Sequence, residues 1–396
     1  MNLPDGWDIV VATNKKEIEE IRPIWEKMQS SEPSPAIETD IDRYLSIIKS
    51  KEKTVQPYVI MITNKGNPEA MIIARIRMHK LPIKLGYKTL FHPQLKSLTV
   101  SYGGILGCHN NDINSLVIQM LTGILREKKV DMIYFNHMAK DSSFYQLSKK
   151  RLGFMSRCYF PEYEKHWKMT IPKSMEQFYK TLSQRHRANI KRYKRKLEKK
   201  YSDKLRIIIY SKQKDLETAI HDVVKISRST YQYQLGHGFT DDFRTRCLLK
   251  TAAEKGWLRI HIMYINGEPC AFENWIKYRN KYIGHGIGFD PKWKKWRIGT
   301  VLFMNTLEHI CNDPDTEEVD FGFGDAEYKR SYGDQQWEET SVYVFAPRLY
   351  PILVNFLYST FSGISLGLNL ILDKSGLKDK TKRLWRNRLT FKESVK

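Results

Sequence analysis

At 396 residues and 41% apolar content the chain exceeds one comfortable hydrophobic core, so it reads as two folded domains and not as a disordered segment. Lysine plus arginine outnumber aspartate plus glutamate by 66 to 44, a formal charge of +22 that suits phosphate-rich ligands, nucleic acid or an anionic membrane face. Five scattered cysteines (Cys108, Cys158, Cys247, Cys270 and Cys311) form no CxxC pair and have no histidine at metal-ligand spacing, which argues against a disulfide framework or a metal site and for free thiols in a reducing cytosol.

Met1 to Trp7 has no basic stretch leading into an apolar run, so no export signal is expected and the cytoplasm is the expected location. The run Tyr58-Val59-Ile60-Met61-Ile62, the turn Asn64-Lys65-Gly66-Asn67-Pro68 and the resumed run from Ala70 to Ala74 predict a hairpin. A helical pattern over Ile113–Lys128 and a short buried strand from Val130 to Phe135 follow. The same grammar returns after Trp257. Arg259–Tyr264, a turn at Asn266-Gly267-Glu268-Pro269, Ala271–Ile276, a helix over Ile298–Cys311 and a strand at Val319-Asp320-Phe321 repeat the order. Gly66, Pro68 and Ala70 match Gly267, Pro269 and Ala271 at one constant offset, which predicts an internal duplication of a mixed α/β unit.

Between the copies, Phe178–Tyr201 places Ile190, Tyr193 and Leu197 on one helical stripe with cationic faces around it. Two readings stand: a phosphate-contacting helix that steers an anionic donor or acceptor, or a solvated linker. The expected organisation is 1–168, a degenerate first copy; 169–204, a basic connector; 205–347, the second copy; and 348–396, an apolar then basic tail. Leu349–Leu372 carries no charge and precedes Lys374, Lys378, Lys380, Lys382, Arg383, Arg386 and Arg388. Pro351, Asn355, Ser359, Ser362, Gly363, Ser365, Gly367 and Asn369 dilute it, so a packed helix ranks first, an anchor in the membrane interface second and a span last.

The chemistry-bearing stretch is Val319–Arg330, where an apolar, glycine-punctuated strand runs into a turn presenting a carboxylate, a phenol and an ammonium. Asp325 and Lys329 lie four apart and share a helical face, with Tyr328 beside them. In the preceding hairpin, alternation puts Glu273 on the face of Ala271 and Trp275, where half-burial raises a carboxyl pKa and suits proton abstraction; a structural salt bridge is the other reading. His285, between two glycines on a strand, reads as structural. The first copy runs from its strand into Asn136-His137-Met138-Ala139 and lacks the Gly-Asp-x-x-Tyr-Lys ending, so it is expected to shape the acceptor site without chemistry of its own.

Together, Tyr282–Pro291, Ile298–Leu302 and Asp320–Lys329 resemble the CelD/BcsL-type branch of the GNAT acyltransferases, itself similar to the FemABX aminoacyltransferases with their tandem GNAT units and basic helical region. The likeness is strongest over Trp257–Phe345 and only architectural in the first half. It implies tandem domains, each a mixed central sheet flanked by helices, with a thioester donor wedged between two parallel strands that splay apart, Lys281–Phe289 and Glu318–Phe323. The donor pyrophosphate would meet Phe289, Lys294, Lys295, Arg297 and the helix start at Ile298, Gly299 and Thr300. The resemblance implies Tyr328 as general acid, Asp325 or Glu273 as base, and Lys329 as charge partner of Asp325. Trp296 and Arg297 depart from the usual phosphate loop, which leaves acyl-CoA, an acyl carrier protein or an aminoacyl-tRNA open as donor. The expected activity is N-acyl transfer to an amine such as an amino sugar, envelope precursor or amino-acid-like molecule, with no metal and with a peripheral contact at the inner membrane face through the tail. A non-catalytic basic RNA-binding or scaffold protein is the alternative; the clustering of Asp325, Tyr328 and Lys329 argues against it.

Overall fold

Along the first 170 residues the apolar periodicities become β1 (Trp7–Ala12), helices α1 (Lys15–Glu20), α2 (Arg22–Ser31) and α3 (Ile41–Ser50), strands β2 (Val55–Asn64), β3 (Asn67–Lys80), β4 (Ile83–Leu85), β5 (Lys88–Phe91) and β6 (Gln94–Leu106), then α4 (Asn111–Arg126), β7 (Met132–Ala139), α5 (Ser143–Arg151) and β8 (Tyr163–Thr170). The second copy runs α6 (Met175–Thr181), α7 (Gln184–Tyr201), β9 (Leu205–Tyr210), α8 (Leu216–Arg228), α9 (Tyr231–Gln234), α10 (Phe243–Glu254), β10 (Leu258–Ile265), β11 (Glu268–Tyr278), β12 (Lys281–Phe289), α11 (Ile298–Cys311), β13 (Glu318–Phe323) and α12 (Glu327–Tyr332). β14 (Gln335–Phe345) and α13 (Leu349–Lys374) follow. The structure is a computed structural model and describes residues 4–86, 88–107, 110–234, 236 and 238–375; Cys108 and the basic positions Lys378 to Arg388 lie outside the described residues.

These elements form a mixed α/β fold in two units, residues 4–164 with 337–375, and residues 165–336. In the first unit the strand order is β1-β2-β3-β6-β7-β14; in the second it is β8-β13-β12-β11-β10-β9. Each has one parallel pair, β6 with β7 and β12 with β13, and antiparallel neighbours on both sides. α4 covers one face of the first sheet with Val117, Leu121 and Ile124, while Trp25 and Tyr44 fill the other. In the second unit α11 buries Leu302, Phe303, Leu307 and Ile310 against its sheet, and α7 sets Ile190 and Leu197 into the same core, as its stripe foretells.

The duplication extends to backbone detail. Lys65 and Gly66 have φ of 48 and 78°, Asn266 and Gly267 of 54 and 78°, the pair of positive values that a type I′ hairpin turn requires. Both hairpins then slip by one residue at matching places: Ile62 faces Ala70 while Thr63 faces Pro68, and Met263 faces Ala271 while Tyr264 faces Pro269. Both hairpins thus carry a bulge at the same offset from the turn.

The last strand of each sheet comes from the other repeat. β14, after the second copy, closes the first unit by antiparallel pairing with β7, and β8, at the end of the first copy, closes the second unit on β13. The units therefore divide at 164/165 and 336/337, not after 168 and 347, and the basic segment expected as a connector is built into the second unit. α13 is one continuous helix on the first unit. By length and composition Leu349–Leu372 is apolar enough to cross a membrane, with 33% of its most apolar stretch buried.

Candidate active site

Parallel pairing between β12 and β13 lasts for three residue pairs, Lys281 with Glu318, Tyr282 with Val319 and Ile283 with Asp320, and then stops. Two irregularities explain why. β12 carries an extra residue at His285, since Trp275 and Asn274 of β11 face Gly284 and Gly286. β13 carries one at Phe321 against β8, where Asp320 faces Lys168 and Gly322 already faces Trp167. A bulge bends its strand and breaks the ladder locally, and the β12–β13 pairing ends at this point. From Gly284 onward the inner edge of β12 offers backbone N–H and C=O groups to the gap.

The mouth of this gap is lined by the start of α11. Arg297, in the left-handed region at φ 53°, precedes the helix, no side chain caps it, and its first turn holds no acidic residue. A Cβ added at Gly299 would lie 3.5 Å from Phe289 Cδ1, ordinary contact, so packing alone does not demand the glycine. Lys294, Lys295 and Arg297 are exposed around this turn, while Ile298 is fully buried and contributes to the mouth only through its backbone. Trp296, the residue that departs from the family loop, packs edge-on against Tyr201 of α7 at 5.3 Å and carries Lys196 over its ring at 5.0 Å. It anchors the basic turn to the basic helix.

Beneath the gap, Glu273 of β11 is buried; Trp275 Nε1 donates to its Oε2 at 3.1 Å, and Thr306 of α11 also bonds to it. Burial pushes its carboxyl up to about 7, only partly offset by those two donors. Thr306 Oγ1 also lies 3.1 Å from Nδ1 of His261, the residue directly across the hairpin from Glu273. Burial and the neighbouring His309 and Arg259 hold that imidazole neutral, down to about 3. Tyr328 of α12 sets its ring edge-on against Phe321 at 5.9 Å. Burial and then the charge of Glu273 raise its phenol to about 12, and the same two causes, with Tyr179, raise Tyr332 to about 12. A carboxyl poised near neutrality and a phenol that keeps its proton thus share one apolar enclosure.

The turn after β13 departs from expectation. Asp325 pairs with Arg330 at 3.0 Å at the surface, not with Lys329. Lys329 is buried, and its Nζ donates to the carbonyls of Gly322 and Phe323, tying α12 back onto the strand it follows. With φ of +67 and +92°, Gly322 and Gly324 supply the backbone reversal that this requires. Lys329 is therefore a tether for Tyr328 rather than a charge partner of Asp325, because a backbone carbonyl lies within its reach and the carboxylate faces water. Asp320 accepts from His166 Nε2 at 2.6 Å and from the Gly322 amide at 2.7 Å, which holds its carboxyl below the usual range despite burial. Reading the residue types alone missed Tyr332, although its spacing of four from Tyr328 was visible, and missed His261, which only the hairpin register brings to Glu273. A cavity of about 420 Å³ in the first unit, walled by Tyr145, Arg157, Phe160 and Tyr343 among others, shares no residue with this gap.

Residues 184–330 match the family model of the acetyltransferase (GNAT) domain. Among solved structures the chain is similar to FemX, at 10% identity with a TM-score of 0.57 over 85% of this chain and 98% of that one. It is also similar to a tandem GNAT protein from the clavulanic acid biosynthesis pathway, at 8% identity with a TM-score of 0.50 over 87% of this chain and 99% of that one. No curated protein gives a significant sequence match. The second unit thus carries a GNAT-type acyltransferase domain.

Proposed function

We propose that the second unit transfers an acyl group from acyl-CoA to the amine of a small acceptor, in the cytoplasm, as a member of the CelD/BcsL-like branch with likeness to FemABX enzymes. The observation that carries this is the gap between β12 and β13 with an uncapped helix start at its mouth. A thioester arm fits where β12 and β13 no longer pair with each other, and a pyrophosphate fits the uncapped helix start ringed by Lys294, Lys295 and Arg297. The amine nitrogen attacks the thioester carbonyl, forming C–N as C–S breaks. Glu273, ionised at and above about pH 7, takes the proton the amine sheds, and Tyr328 gives its phenolic proton to the departing thiolate. Asp325, on the surface, is left to orient the acceptor.

Calorimetric titration of the whole chain with acetyl-CoA tests the reading. One donor per chain is expected, weakened about ten-fold or more when Lys294, Lys295 and Arg297 are all alanine, since each contributes charge at a helix N-terminus. Absence of binding, or affinity indifferent to the triple change, would remove acyl-CoA as donor. The exposed cations of α7, Lys191, Arg192, Lys194, Arg195 and Lys199, favour a second reading in which the acyl group arrives on tRNA. Salt-sensitive binding of aminoacyl-tRNA, with none of acetyl-CoA, would select it.

A further inference from the structure

α13 is folded inside out. Its polar residues face the first unit: Asn355 Nδ2 donates to the carbonyls of Met155 at 2.9 Å and Arg157 at 3.0 Å, Ser359 Oγ lies 3.2 Å from Asn355 Oδ1, and Ser365 Oγ accepts from the Gly86 amide at 2.9 Å. Val354 packs into the core of the unit, but most of the helix's large apolar residues face outward. Leu349, Leu353, Phe356, Ile364, Leu368 and Ile371 recur at spacings of three, four and eight, one helical stripe, with Leu349 at 88% and Phe356 at 66% exposure. A helix covering a water-soluble body shows the reverse pattern. The segments packed against α13 extend the same surface: Phe154 (73% exposed) and Met155 on one side, Leu85, Leu90 and Phe91 of the β4–β5 hairpin on the other.

The charge around this face is mostly positive; the nearby carboxylates are Glu162, whose charge acts on Tyr358, and Asp131, paired with Arg348. The three stretches that build it, residues 70–111, 142–161 and 340–372, contain no aspartate or glutamate at all. Exposed Lys84, Lys88, Lys149, Lys150 and Arg151 lie on them. The sequence after residue 375 adds eight lysines and arginines against two carboxylates. We propose that the first unit docks on an anionic lipid surface, with the outward stripe of α13, the β4–β5 hairpin and Phe154–Met155 immersed at the acyl boundary and the surrounding cations on the headgroups. The hydrogen bonds of Asn355 to Met155 and Arg157, and of Ser365 to Gly86, fix the helix along the body, so it lies in the interface rather than crossing the bilayer. A protein partner of apolar chemistry accounts for the stripe but not for the excess of exposed cations beside it.

Flotation of the full chain with vesicles tests this, comparing phosphatidylcholine alone with an equal mixture of phosphatidylcholine and phosphatidylglycerol. The chain is expected to float with the mixed vesicles at least ten-fold better than with the neutral ones, and raised salt should reduce the difference. Replacing the outward Leu353, Phe356, Ile364 and Leu368 by serine should abolish flotation, with circular dichroism and acetyl-CoA affinity unchanged. As an independent reading that needs no multiple variant, Phe356→Trp should show a blue-shifted emission with the mixed vesicles only. The proposal is overturned if the parent chain stays unbound, if the serine variant floats as well as the parent, or if Trp emission does not move. It is equally overturned if the serine changes only turn a dimer into a monomer, which would make a second copy the occupant.

Discussion

The two units share a hairpin turn, a bulge, a crossover helix and a parallel strand pair, yet they differ at the three places that the proposed acyl transfer uses. Across the hairpins, Ile60 faces Ile72 in the first unit, and His261 faces Glu273 at the same register in the second. The sheet is the same; a pair of branched apolar side chains has become a titratable pair. At the crossover helices, Asn110 Oδ1 accepts from the Ile113 amide at 2.8 Å and Asp112 sits in the first turn of α4, whereas α11 has neither a cap nor an acid. An anion at α4 would have to displace the helix's own cap and face a carboxylate; at α11 it meets open N–H groups. After the strands, β7 continues into Asn136-His137-Met138-Ala139, while β13 reverses at Gly322 and Gly324 to bring Tyr328 back. Fold is thus shared between the copies while the candidate site lies in one.

The sharpest way to break this comparison is at Tyr328. Tyr328→Phe should keep fold and donor affinity but lower kcat by about 10²-fold or more, the range for losing a general acid; turnover within two-fold of the parent would show that the second unit's ending is as inert as the first unit's. Next comes Glu273. Turnover of the parent should rise with pH through about 7 as this carboxyl ionises, and Glu273→Gln should be slow and lack that rise. Stability moves the other way. The folded state holds the Glu273 proton up to about pH 7 whereas the unfolded chain releases it near 4.5, so stability is full below pH 4.5 and is lost as pH rises through 7, by on the order of 3 kcal/mol. Thermal midpoints of parent and Glu273→Gln at pH 5 and pH 8 check it: the parent should fall relative to the variant at the higher pH. The smallest effect is expected in the first unit, where Asn110→Ala removes a helix cap, costs about 1 kcal/mol in chemical denaturation and leaves acetyl-CoA affinity as it was.

Much of this was readable from residue order. The Asn-Lys-Gly and Asn-Gly turns fix both hairpins, the period of Ile298–Cys311 gives α11 to its final residue, and the alternation around Glu273 placed that carboxyl on a buried face. The roles of Lys329 and Asp325 were not readable, because spacing of four permits an ion pair while the actual partners, two carbonyls and Arg330, depend on how the glycines turn the chain. Nor was the exchange of β8 and β14. Strand pairing is chosen by tertiary fit, and either strand's alternation suits either sheet edge.

That exchange bears on how the protein is made. β7 leaves the ribosome long before its partner, which begins only at Gln335, so the first half cannot close its sheet while translation proceeds and must wait for nearly the whole nascent chain. The same wiring ties the second unit to the first half of the sequence: deleting residues up to 170 would take β8 away and strip β13 of the neighbour against which it bulges.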